Sequence, residues 1–332
     1  MPAAAPGRIT VPDRLTRSVT ATHPDLAPAW LAALPNLAAG QLTRLGLTLD
    51  RVLDPGGALS LVAYVHRNDD LAPAVLKVAL RTPGTAHEPD ALTAWAGRGA
   101  ALLLDSATPT PTSAVLLLER LHGEIPLRSL AEPKAMLEAT SLLHRLWLPL
   151  PLDSTFPGLP RSPSATGPSA GGETPTGHEP TTERTFTPGH PTPTLESTLP
   201  EAAPLLAEAH ETATALAASA TEHFLLHGDF HHGNVLAADR APWLAISPRP
   251  LAGERAYDLA RLALDRADTL VGSPGLPSAA RRRLHQLAEA LDVDRDRLRG
   301  WTLVRAVGLA RAALTAGRRT GAELYLEFAG AL

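Results

Sequence analysis

The chain has no cysteine. That excludes disulfides and thiolate metal sites. It also lacks any apolar run long enough to cross a bilayer. The formal net charge is only −4, so there is no basic footprint for nucleic acid or another polyanion. The opening stretch MPAAAPGRITVPDRL has no apolar h-region of the kind a secretory signal requires. Aromatic residues make up only 4 % of the chain. The expectation is a cytoplasmic protein, a monomer or weak dimer, with neither nucleic acid nor membrane as partner. Two further scarcities are informative. Basic positions are nearly all arginine, and the two lysines are Lys77 and Lys134. Asparagine occurs three times, at Asn36, Asn68 and Asn234.

What is present is enough for two domains: 332 residues with 44 % apolar content. The stretch from Phe224 to Tyr257 organises the rest. Phe224-Leu225-Leu226 reads as a buried strand, Val235-Leu236 as a second, and Trp243-Leu244-Ala245-Ile246 as a third. Between the first two lies a polar loop, His227 to Asn234. Asp229 and Asn234 stand five positions apart in it. Phosphoryl transfer needs a carboxylate to orient the attacking hydroxyl and an oxygen ligand for the cation beside the phosphates. His227-x-Asp229 followed by Asn234 has the spacing of the kinase catalytic loop. Asp229 is then the base and Asn234 the metal ligand.

Upstream, Leu45–Leu53, Leu59–Val65 and Ala74–Val78 read as an antiparallel meander, with turns at Asp54-Pro55-Gly56-Gly57 and Asn68-Asp69-Asp70. Lys77 sits on the third of these strands. A charge on an apolar strand is costly without a partner. Glu88 opens the following helix and is the candidate partner, the arrangement kinases use to place a phosphate-binding lysine. Residues 100–104 and 114–118 read as two more strands, and Glu119-Arg120-Leu121 follows. Beyond Gly123 the period changes to that of helices, over Glu132–Trp147, Leu195–Ala220, Tyr257–Leu270, Ser278–Leu291, Asp294–Gly317 and Ala322–Ala331. An amphipathic helix over Asp25–Ala39 is expected to break near Pro35. Residues 1–20 read as a flexible arm. Residues from about 152 to 193 are rich in Pro, Thr, Ser and Gly and read as a disordered insertion. Arg281-Arg282-Arg283 reads as a solvated face.

The segments HGDFHHGNVL, WLAISPRP and YDLA resemble the aminoglycoside phosphotransferase superfamily. They are closest to its streptomycin 6-kinase and hydroxyurea-phosphotransferase branch, over about Leu45 to Leu264. The resemblance implies an α+β, protein-kinase-like two-lobe fold. A small antiparallel sheet with one helix would cover the nucleotide over residues 21–121, and a larger, mainly helical lobe would fill 122–332. It implies ATP and Mg2+ as cofactors and a small-molecule hydroxyl as acceptor. Lys77, Glu88, Glu119 and Leu121 would bind nucleotide, the last two as the hinge along the adenine edge. Asp258 would brace the catalytic loop.

One departure stands out. The branch carries I-D-P where this chain has Ile246-Ser247-Pro248, so Ser247 replaces the second metal-binding Asp. Arg249-Pro250 likewise replaces Lys-Gly. A neutral hydroxyl is a poor ligand for a hard cation. The sequence therefore leaves open an impaired enzyme, compensation by Glu254 or Asp258, or an inactive nucleotide- or ligand-binding protein. A zinc hydrolase built on His227, Asp229, His231 and His232 is a further alternative, but it leaves Lys77 and Glu88 unexplained.

Overall fold

The computed structural model describes residues 9–162 and 194–332. The chain begins with α1 (Asp13–Thr22) and α2 (Ala27–Arg44), followed by β1 (Leu47–Val52), β2 (Ser60–Arg67) and β3 (Pro73–Leu80). Next come α3 (Glu88–Trp95), β4 (Leu103–Ala107), β5 (Ser113–Glu119), β6 (His122–Pro126), α4 (Glu132–Leu146) and β7 (Leu148–Pro149). After the undescribed stretch stand α5 (Leu195–Thr198), α6 (Ala203–Ala218), β8 (Phe224–Leu226), β9 (Val235–Ala237), β10 (Trp243–Ala245) and β11 (Leu251–Gly253). Four helices finish the fold: α7 (Arg255–Ala263), α8 (Leu276–Leu291), α9 (Arg295–Thr315) and α10 (Arg319–Gly330).

The first sheet has the order β1-β2-β3-β5-β4 and is antiparallel throughout. Its central strands use period two to serve two faces. Leu61, Ala63, Val65, Leu76 and Val78 bury against α1 and α2 in one core. Ser60, Val62, Tyr64, Lys77 and Ala79 point the other way and line a cavity. Lys77 pairs with Val62 on one side and Leu116 on the other. It therefore lies on an interior strand and not at a solvent-facing edge.

A second core joins α3, α4, α7, α8 and α9 around the strands that flank the polar loop. Trp95 of α3 and Leu225, Leu226 and Phe230 around the loop belong to that same core. The packing of α3 thus fixes Glu88 relative to the loop. A third core unites α6, α9 and α10.

Three expectations need correction. The arm is helical from Asp13, and Leu15 and Val19 of α1 are fully buried in the first core. With only two apolar positions on a Pro-flanked segment, its periodicity is too short to register in the sequence. The second helix runs through Pro35 to Arg44. The ring removes one ladder bond, but Trp30, Leu34, Ala38 and Leu42 keep the helix on the sheet. At the insertion, order continues to residue 162: Phe156 and Leu159 pack on the second core, and Gly158 bridges Ala252. The remainder of the expected insertion, 163–193, lies outside the described residues.

Candidate active site

The polar loop joins β8 to β9, and the β10–β11 connection lies on it. Two backbone bonds pin the loops together: Ile246 N–H donates to Asn234 O at 2.9 Å, and Arg249 N–H donates to His227 O at 2.8 Å. His227 adds a contact from its Nε2 to Ile246 O at 3.1 Å. Gly228 is required at the crossing. Its φ is +76°, and a Cβ there would stand 1.9 Å from Arg249 O.

Asp258, in the first turn of α7, braces the same loop. Its Oδ2 accepts from His227 N–H and its Oδ1 from Gly228 N–H, both at 2.7 Å. Trp147 Nε1–H reaches Oδ2 at 3.3 Å. The carboxyl is fully buried. Burial raises its pKa to about 6, against the opposing pull of the Gly228 and His227 amides. A raised carboxyl favours the fold most at low pH, and this contribution is lost as pH rises through about 6. Loop geometry runs the opposite way, because the ionised form accepts both amides more strongly than the neutral acid. Turnover is therefore expected to fall as pH drops through about 6. A kcat profile between about pH 5 and 8 checks this, and Asp258→Asn should remove the acid limb.

Across the cavity, Lys77 Nζ donates to Glu88 Oε1 at 2.6 Å, with the two residues 8 % and 2 % exposed. The same ammonium lies 3.4 Å from Ser247 Oγ. These contacts tie β3, α3 and the β10–β11 connection to one point. Glu88→Gln removes the ion pair while keeping the side-chain volume. It should weaken nucleotide affinity about tenfold, or about 1.4 kcal/mol, as read by calorimetric titration.

Asp229 and Lys77 both line a cavity of about 520 Å³. Asp229 Oδ1 meets Arg261 Nε at 3.2 Å, and Oδ2 lies 3.8 Å from Arg249 Nε. Burial acts to raise its pKa, but His231, Arg261, Arg249 and Arg305 outweigh it and hold the carboxyl at about 2. So weak a base suits orienting a hydroxyl rather than removing its proton early. Asn234 Nδ2 donates to Asp229 O at 2.9 Å. That leaves its Oδ1 for the cavity, which Asn234 also lines.

The metal-binding expectation fits in part. Asn234 Oδ1 suits a cation held mainly by nucleotide phosphates. Ser247 adds only a hydroxyl, held at φ 55°. Neither proposed substitute reaches it. Glu254 is buried against Arg297 and Trp301, and Asp258 is committed to the loop amides. Among the described residues, no group of three or more His, Cys, Asp or Glu could hold a metal. The zinc alternative fails for that reason. His232 Nδ1 lies 2.6 Å from Asp265, and His231 Nδ1 accepts from Gly233 N–H, so both rings serve the loop.

Glu119 and Leu121 do not line the cavity; Gly123 and Glu124 do. Glu119 instead accepts from Arg240 and from Leu102 N–H at 2.6 Å. Leu121 is buried with Ala101 and Leu244. Sequence reasoning missed Arg261, three residues after Asp258 on α7, and Arg14, which lines the cavity and reaches Gly56 O at 3.4 Å. It also misjudged Arg283, which is buried against Glu132 and the carbonyls of Ala263 and Asp265.

A lysine–glutamate pair joining β3 to α3, lining one cavity with a braced Asp-x4-Asn loop, defines a kinase-like phosphotransferase with an alcohol group as acceptor. The sequence model of the aminoglycoside/hydroxyurea antibiotic resistance kinase family matches residues 45–317, further than the segments that first suggested the likeness. The chain belongs to that family. It is 33 % identical over 302 residues to a streptomycin 6-kinase of Streptomyces glaucescens, covering 89 % of this chain and 87 % of the relative. It is 36 % identical over 296 residues to a hydroxyurea phosphotransferase of Kitasatospora aureofaciens, with 84 % and 72 % covered. Among solved structures, a spectinomycin phosphotransferase in complex with ADP and spectinomycin shares the fold at TM-score 0.53 and 12 % identity, with 89 % and 97 % covered. An amicoumacin kinase does so at 0.56 and 11 %, with 93 % and 96 % covered. No helix among the described residues is long and apolar enough to cross a membrane.

Proposed function

We propose that the protein transfers the γ-phosphoryl group of ATP to a hydroxyl of a small antibiotic, of the streptomycin or hydroxyurea type, at reduced turnover. The observation that supports this reading is that the Lys77–Glu88 pair and Asp229 line one cavity. Lys77 holds the phosphates and Asp229 orients the acceptor hydroxyl. Arg261 and Asn234 fix the carboxylate, and Asp258 fixes the loop. Mg2+, when bound with the nucleotide, would neutralise phosphate charge, with Asn234 as the side chain placed to hold it. Catalysis then rests on positioning and charge stabilisation. The covering lobe ends near residue 121, and the mainly helical lobe follows. The acceptor relationship is supported by the relatives named above, a streptomycin 6-kinase and a hydroxyurea phosphotransferase.

Ser247 favours a second reading, a nucleotide- or ligand-binding protein with little or no transfer. An acceptor screen that follows ADP release and product mass separates the two. Acceptor-dependent ADP release with a phosphorylated product supports the first. Nucleotide binding without product, across streptomycin-like and hydroxyurea-like acceptors, supports the second.

A further inference from the structure

We propose that in this chain the guanidinium of Arg249, together with Lys77, takes over much of the charge neutralisation of the nucleotide phosphates, so that ATP binding depends little on a divalent metal. This rests on reading the cleft as a nucleotide site.

The donor set is the first argument. On the β8–β11 segment the cavity lining holds one carboxylate, Asp229, beside the neutral Asn234 and Ser247; the other lining carboxylates, Asp54, Glu88 and Glu124, come from elsewhere in the chain, and Glu88 is paired with Lys77. Asp229 is itself flanked by Arg261 at 3.2 Å and Arg249 at 3.8 Å. The nearby carboxylates of Glu254, Asp258 and Asp265 are turned to Arg297, the loop amides and His232. A hard dication therefore finds little anionic oxygen from the protein.

The second argument is repulsion. Lys77 Nζ lies 3.4 Å from Ser247 Oγ. A cation drawn to that hydroxyl would sit beside the Lys77 ammonium. Arg249 and Arg261 add two more positive charges beside Asp229.

The third is the placement of Arg249. Its backbone is locked on the loop by the bond to His227 O and the close approach to Gly228. Its side chain lines the cavity. Nε lies near Asp229, while Nη1 comes within 4.0 Å of the Cβ position of Gly84 on the covering lobe. A planar fork in that position matches two phosphate oxygens in a way a lysine cannot.

Calorimetric titration of ATP into the full chain, in Mg2+ and then in EDTA, tests the proposal. The wild type should bind ATP with dissociation constants within about threefold of each other in the two buffers. Arg249→Met should weaken binding in EDTA about tenfold or more, and Ser247→Asp should make binding metal-dependent by a similar factor. If EDTA weakens wild-type binding more than about threefold, the proposal is overturned while the phosphotransferase reading stands. Absence of ATP binding in both buffers overturns the two together. The wild-type comparison decides the matter even if a variant fails to fold.

Discussion

Asp229→Asn should lower kcat by about 10²–10⁴-fold, the range a positioned acid–base group supplies. The reason is local. Asp229 lines the cavity that Lys77 also lines, and it is the one carboxylate of the His227–Asn234 loop. Its low pKa, about 2, means that it is ionised wherever the fold survives. The charge, rather than a shared proton, is what the substitution removes. Asparagine keeps an oxygen that can accept from Arg261, so the contact persists although its charge pairing is lost. Nucleotide affinity should therefore stay within about threefold of wild type, and the loss should appear in kcat and not in nucleotide KM. Single-turnover assays alongside nucleotide titrations make the separation. A loss confined to nucleotide KM would move Asp229 out of the transfer step.

Ser247→Asp should raise Mg2+-dependent turnover by about 10–100-fold, the usual scale for a partner of a metal site. The backbone is suited to the change. Ser247 is held at φ 55°, a region that aspartate and asparagine enter more readily than most residues. The new carboxylate would face Lys77 Nζ, now 3.4 Å from the hydroxyl. It would add the anionic oxygen that the wall lacks. Steady-state kinetics over a Mg2+ series checks this. Turnover unchanged in the variant would mean that the serine does not limit the reaction.

The loop was legible because its chemistry is contiguous. His227, Asp229 and Asn234 lie within one turn between two apolar strands, and local spacing fixes their relation. Lys77 and Glu88 were legible for a different reason. A lysine on an apolar strand in an arginine-rich chain calls for a partner, and the next helix begins with one. The meander was readable from its period-two pattern and turn residues.

What escaped depends on distance in sequence. The pairing of Arg261 with Asp229 spans 32 residues and is set by how α7 packs behind the loop. The burial of α1 depends on a sheet formed later in the chain. The hinge residues were placed by analogy through their backbone; the Glu119 side chain pairs with Arg240, which is supplied 121 residues away. Arg283 sits in a run of three arginines whose members share a sequence context but not a face. Helix packing alone decides which of them is buried. Phe156 and Leu159 show the limit of a compositional argument, since two large apolar residues suffice to anchor a Pro- and Ser-rich segment where a core lies within reach.

The proposed transfer requires one nucleotide to reach both Lys77 and Asp229 in this cavity. A crystal structure of the full chain with a non-hydrolysable ATP analogue should show the γ-phosphate between Lys77 Nζ and the Asp229 carboxylate, with the Arg249 guanidinium against its oxygens. An analogue bound elsewhere, or one whose phosphates lie away from both residues, would sink the proposal.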